Sequence, residues 1–86
     1  MKYRTVANRL VVRHEGNVPA ENLSFTVQGL DETEFNFDAP QEPITIEKDS
    51  TRNWVLIPLR SGTIKIDASW QEGKQEKHGT WTIGLE

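Results

Sequence analysis

An antiparallel β-sandwich of seven or eight short strands is the fold this sequence predicts, and two observations carry it. Apolar residues alternate with polar ones in run after run along the 86 residues, the period-two mark of strands with one buried face. Turn-forming clusters interrupt these runs about every 8–12 residues, and no segment keeps helical period beyond one turn. A small closed barrel produces the same short alternating strands and is the runner-up.

The first predicted element is Lys2 to Val6, an edge strand with Tyr3 and Thr5 on one face. Asn8 to His14 follows, with Asn8 marking a bend between the two and with Leu10 and Val12 alternating against Arg9, Val11 and Arg13. Glu15-Gly16-Asn17-Val18-Pro19 then turns the chain, because Gly and Asn tolerate positive φ and Pro lacks an amide hydrogen. Leu23, Phe25 and Val27 alternate with Ser24, Thr26 and Gln28 up to Leu30. A helix competes poorly over this stretch: β-branched and aromatic side chains crowd the preceding helical turn, and Pro19 would break the ladder.

Asp31-Glu32-Thr33 reads as a polar turn, and Glu34 to Asp38 as a short edge strand with both Phe35 and Phe37 on one face. Pro40 and Pro43 forbid both helix and central-strand pairing, so the chain is expected to change sheets there. Ile44-Thr45-Ile46 resumes the alternation and Lys48 to Thr51 turns it. Arg52 to Leu59 is the most apolar run, with Trp54 and Leu56 on one face and Val55, Ile57 and Leu59 on the other, which suits a central strand that stops pairing at Pro58. After Arg60-Ser61-Gly62, the residues Ile64, Ile66, Ala68 and Trp70 form the cleanest alternating face. Glu72-Gly73-Lys74 is a hairpin signal, and Lys77 to Ile83 closes the chain with Gly79, Trp81 and Ile83 on one face. The pattern as a whole is that of an immunoglobulin-like antiparallel sandwich. Its expected core is Leu10, Phe25, Val27, Ile46, Leu56, Ile66 and Trp70, and alanine at Phe25 or Trp70 is expected to cost about 3–5 kcal/mol.

At this length residues 1–86 make a single domain, large enough for one core and small enough for that core to be marginal. Its abrupt ends, Met1 directly before a strand and Leu85-Glu86 directly after Gly84, point to a domain excised from a longer protein. Hydrophobic residues at 35% and aromatic residues spread along the chain argue against wholesale disorder. Ten basic and 13 acidic residues give net charge -3, and the basic residues stand singly along the sequence, so no nucleic-acid stripe is legible. The absence of cysteine rules out disulfides and thiolate chemistry within these residues. No run approaches the ~18 apolar residues of a membrane helix, so direct membrane insertion of this segment is not expected.

No catalytic, metal or phosphate-binding constellation rises above the bland reading. His14 and His78 are the only imidazoles and read as exposed strand-end residues. Ser24, Ser50, Ser61 and Ser69 stand in ordinary strand and turn contexts, without an elbow motif. Asp31, Glu32, Glu34, Asp38 and Glu42 place five acids within twelve residues. They are oxygen ligands of the kind calcium prefers, without EF-hand spacing, and a solvated loop that discourages edge-to-edge pairing is the simpler account. Trp70 is in register with Ile64 and Ile66 and belongs to the core. Trp54 and Trp81 are the candidate interaction surface, as flat platforms for a sugar ring or for a neighbouring domain. The glycines are dispersed and form no phosphate loop. No catalytic residue, metal ligand or cofactor is therefore assigned.

One resemblance is carried by Asn8-Arg9-Leu10-Val11-Val12, the turn with Asn17 and Pro19, Leu23-Ser24-Phe25-Thr26-Val27-Gln28-Gly29-Leu30, Ile44-Thr45-Ile46, Val55-Leu56-Ile57-Pro58-Leu59 and the closing Trp81-Thr82-Ile83-Gly84. Together these resemble the C-terminal immunoglobulin-like domain of FixG-type proteins, bacterial accessory proteins of cytochrome oxidase. The resemblance implies a parent protein with transmembrane helices and cysteine motifs elsewhere, linked to copper and redox handling during oxidase assembly. It implies an extracytoplasmic location, in the periplasm or at the cell surface. No ligand or redox residue of that family maps onto a position of this chain. The expected function is a non-catalytic accessory or interaction domain whose partners are other domains of the parent chain or another protein. A cell-surface adhesive or carbohydrate-binding module using Trp54 or Trp81 is the alternative.

Overall fold

The computed structural model describes residues 1–30 and 32–85. Asp31, the first acid of the Asp31–Glu42 stretch, and Glu86 of the terminal Leu85-Glu86 lie outside the described residues. The strands are β1 (Lys2–Val6), β2 (Arg9–Arg13), β3 (Ala20–Leu30), β4 (Phe35–Phe37), β5 (Ile44–Ile46), β6 (Thr51–Pro58), β7 (Gly62–Glu72) and β8 (Gln75–Leu85). They form two four-stranded sheets, β1-β2-β6-β4 and β5-β3-β7-β8, in which every pairing is antiparallel. The fold is an eight-stranded antiparallel sandwich, not a closed barrel. As the prolines require, the chain crosses between sheets from β4 to β5, with Pro40 and Pro43 in the connection.

Local chemistry fixes the register. β1 and β2 form a hairpin around Ala7-Asn8, both at positive φ (49° and 64°). That is the left-handed pair a two-residue turn needs to match strand twist. Asn8 is thus a turn residue rather than the start of a strand, and Ala7 adopts a conformation that glycine would reach at less cost. On β3 the inward positions shift from Ala20 to Leu23. The shift occurs at a bulge where Asn22 has φ 53° and β3 spends one residue more than its neighbours. From Leu23 onward the alternation runs as the sequence predicts. Gly73, at φ 62°, turns β7 into β8, and the two then pair without interruption from Glu72–Gln75 to Gly62–Leu85.

Between the sheets lie Leu10, Val12, Ala20, Leu23, Ile46, Leu56, Ile64, Ile66, Ala68, Trp70, Trp81, Ile83 and Leu85. Phe25 and Val27, expected at its centre, are half-buried and pack against this core. For Phe25 the reason is the width of the row it stands in. Ala68 is the small residue opposite Phe25 and Gly79 follows it on β8. Phe25 therefore reaches across Ala68 to Trp81 (centroids 5.9 Å apart) while also meeting Trp54 edge-on at 5.2 Å and Phe37 at 6.3 Å. Phe25 is the hub of an aromatic cluster that joins the sheets, not a sealed core side chain.

Candidate functional site

The tryptophans proposed as a platform do not form one. Trp81 is 5% exposed and occupies the core face of β8, stacked on Tyr3 at 4.8 Å and 21°. Its phase with Ile83 decides its direction. Trp54 stands opposite Leu10 on the inner face of β6 and is half-buried against Phe25. His14 also departs from expectation. It is 1% exposed, because it continues the inward series Leu10, Val12, His14 past the end of β2. His78 is exposed on the outer face of the other sheet, opposite Ser69, so the two imidazoles are not brought together. Among the described residues no three of His, Asp and Glu gather as a metal-ligand set.

His14 instead anchors one end of the sandwich. Its Nε2 donates to the Val18 carbonyl at 2.6 Å and lies 4.0 Å from Glu72 Oε1, while Trp70 Nε1 donates to the other oxygen of Glu72 at 2.9 Å. The backbone of His14 is tied to Asp49 and Ser50 of the β5–β6 turn. Gly16 closes the cluster: an added Cβ would meet Glu72 Oε1 and fall within 2.6 Å of His14 Cε1. Gly16→Ala is therefore expected to cost about 1–3 kcal/mol, the usual penalty for overfilling a packed site, read as a lower urea midpoint at unchanged slope. An unshifted midpoint would show that Glu72 simply swings away.

The most distinctive surface comes from the hairpin. Cross-strand partners share a face, and because Leu10 and Val12 point inward, their neighbours on β2 point out. The outer face then reads in rows: Lys2, Arg13 and Thr51; Arg4, Val11 and Asn53; Val6, Arg9 and Val55. Residues two apart along a strand are ~6.8 Å apart and adjacent strands ~4.8 Å, so the four cations, two on β1 and two on β2, spring from a strip of backbone about 5 by 14 Å. The first fourteen residues hold four of the ten basic side chains and none of the 13 acidic ones. The basic residues that stand singly in the sequence are thus gathered by the hairpin.

The electrostatics of this face are only partly self-compensated. Glu15 sits at its rim, with its carboxylate 3.3 Å from Lys2 Nζ and 3.5 Å from Arg13 Nε. Arg9 is held flat by donating to Asn53 Oδ1 at 2.8 Å. Arg4 makes no ion pair or side-chain hydrogen bond among the described residues. A shallow depression of about 240 Å³ opens here, lined by Lys2, Tyr3, Arg4, Val11, Arg13 and Thr51. Three of its six lining residues, Lys2, Arg4 and Arg13, are cationic, and guanidinium and ammonium groups are donors that suit anionic oxygens.

No family model, no curated protein and no solved structure matches this chain.

Proposed function

We propose that this chain is a non-catalytic interaction domain that meets an anionic partner through the outer face of β1, β2 and β6. The observation that carries the reading is the convergence of Lys2, Arg4, Arg9 and Arg13 on one face of a chain whose net charge is -3. Segregating charge against the overall sign orients an encounter and raises its rate. The strand pattern shared with the immunoglobulin-like domain of FixG-type proteins supports placing it as an accessory domain of a larger, membrane-associated and extracytoplasmic protein. Within that reading its partner belongs to the same assembly, and oxidase assembly is the process in which it takes part.

Poly-glutamate is a sufficient probe. Binding is expected at low salt, is expected to weaken as salt screens the face, and is expected to fall about tenfold or more in the Arg4→Glu, Arg9→Glu double variant, the loss of roughly 1.4 kcal/mol. Both residues are exposed, so the fold is expected to survive the change. Equal affinity of the double variant, or no binding at low salt, would remove this face as the functional surface.

A further inference from the structure

We propose that the free edge of β1 takes up an extended acidic segment of a partner protein as an added strand, its alternate carboxylates falling beside Lys2 and Arg4. This rests on the interaction-face reading above and names the partner's chemistry and the way it binds.

Among the described residues no strand pairs with the outer edge of β1, and its hydrogen-bonding groups can be assigned. β1 ends the sheet β1-β2-β6-β4, all five of its residues are exposed, and it pairs with β2 over five unbroken steps. In a hairpin closed by a two-residue turn the last pair is hydrogen-bonded, here Val6 with Arg9, and bonded and non-bonded pairs alternate from there. Lys2, Arg4 and Val6 therefore point their backbone groups at β2. The far side of β2 agrees: Asn8 accepts from Leu56 and His14 donates to Ser50, so the even residues of β2 serve β6 and the odd ones serve β1. Tyr3 and Thr5 are left with N–H and C=O groups directed away from the sheet.

The side chains then specify what can use those groups. A strand laid along β1 places its residues in register with Lys2, Tyr3 and Arg4, and opposite residues share a face. Two carboxylates separated by one residue would meet Lys2 and Arg4 on the outer face. The residue between them would lie beside Tyr3, which is 39% exposed and whose ring stacks on Trp81, and an apolar side chain fits there. The predicted recognition unit is acid, apolar, acid in extended conformation. Glu15 already shows a carboxylate held between Lys2 and Arg13.

Cations on an edge strand commonly serve to keep other strands away. Here the same charges that repel neutral or basic strands favour an acidic one, so protection and selectivity are one device. A nucleic acid, a glycan or a membrane could answer the charge but has no backbone to pair with Tyr3 and Thr5, and this favours a peptide. The other long free edge, β8, presents Glu76, His78, Thr80 and Thr82 on its outer face, a mixture that names no partner.

The test uses the intact chain and a synthetic peptide alternating Glu with Val, followed by amide chemical shifts and by titration. The largest shifts are expected at the amides of Tyr3 and Thr5, with affinity falling about tenfold or more in Arg4→Glu. A similar fall is expected in Thr5→Pro, which deletes an edge-facing donor without touching the β1–β2 ladder. Far-UV circular dichroism verifies that both variants keep the sheet. If Thr5→Pro, or a peptide N-methylated on alternate amides, binds as well as the original while Arg4→Glu weakens binding, strand addition is overturned and the anionic face survives. Shifts centred on β8, or tighter binding of duplex DNA or a sulfated glycan that Thr5→Pro leaves unchanged, overturn it likewise. Failure of both peptide and poly-glutamate to bind removes the face and the added strand together.

Discussion

Trp81→Ala is expected to cost about 3–5 kcal/mol, a large share of the roughly 5–15 kcal/mol that holds a domain folded. The ring is 5% exposed and is inserted between the sheets at their β1–β8 side. It stacks on Tyr3 of one sheet and meets Phe25 of its own across the small Ala68. No disulfide ties the two sheets together, so deleting the ring opens a cavity that edge strands on both sides must close. Urea unfolding should show a midpoint lower by roughly 2 M or more, or no folded baseline at all. Tyr3→Ala should cost less because Tyr3 is 39% exposed. The double variant should reveal a coupling of about 0.5–1.5 kcal/mol between the stacked rings. A loss below about 1 kcal/mol for Trp81→Ala would mean that the sheets are joined elsewhere.

The alternation put Trp81 on one face with Ile83 and Trp54 on one face with Leu56, yet in the sequence both tryptophans read as an interaction surface, because the depth of a face depends on what lies across the gap. Alternation gives direction, and burial needs the opposite sheet. Much of the strand order was legible because residues with a backbone reason to turn separate the strands: Asn17 and Pro19, Pro40 and Pro43, Gly73. The bulge at Asn22 was not, since a single residue at positive φ leaves no composition signal and shifts Ala20 onto the core face three residues from Leu23. The basic face was hidden for a related reason. Lys2 and Arg4 are even-numbered and Arg9 and Arg13 odd, so they share a face only if the turn between them takes an even number of residues, here two. Reading Asn8 as part of the following strand concealed that parity change. Ala7, an unfavourable residue for the left-handed region, gave no hint of it.

His14→Ala is expected to cost about 2–4 kcal/mol, combining a lost buried ring with stranded polar partners. The Val18 carbonyl can only accept, so the 2.6 Å bond fixes the proton of the neutral ring on Nε2. Nδ1 is then an acceptor, and it is buried without a hydrogen-bond partner among the described residues. The residue carries one satisfied and one unsatisfied nitrogen, and its net contribution depends on what the satisfied one holds. It holds the Glu15–Pro19 loop: Val18 is bonded to it, Gly16 packs on it, and Glu72 binds Trp70 beside it. His14→Leu separates these parts. It refills much of the volume and removes the orphan Nδ1, but leaves the Val18 carbonyl without its donor. Its expected cost is about 1–2 kcal/mol, with faster amide exchange confined to the Glu15–Pro19 loop. If His14→Leu matches the native protein in both stability and loop exchange, the bond to Val18 contributes nothing and His14 is simply filler. If the loop alone loosens, the histidine is what carries the order of the core across the turn from β2 to β3.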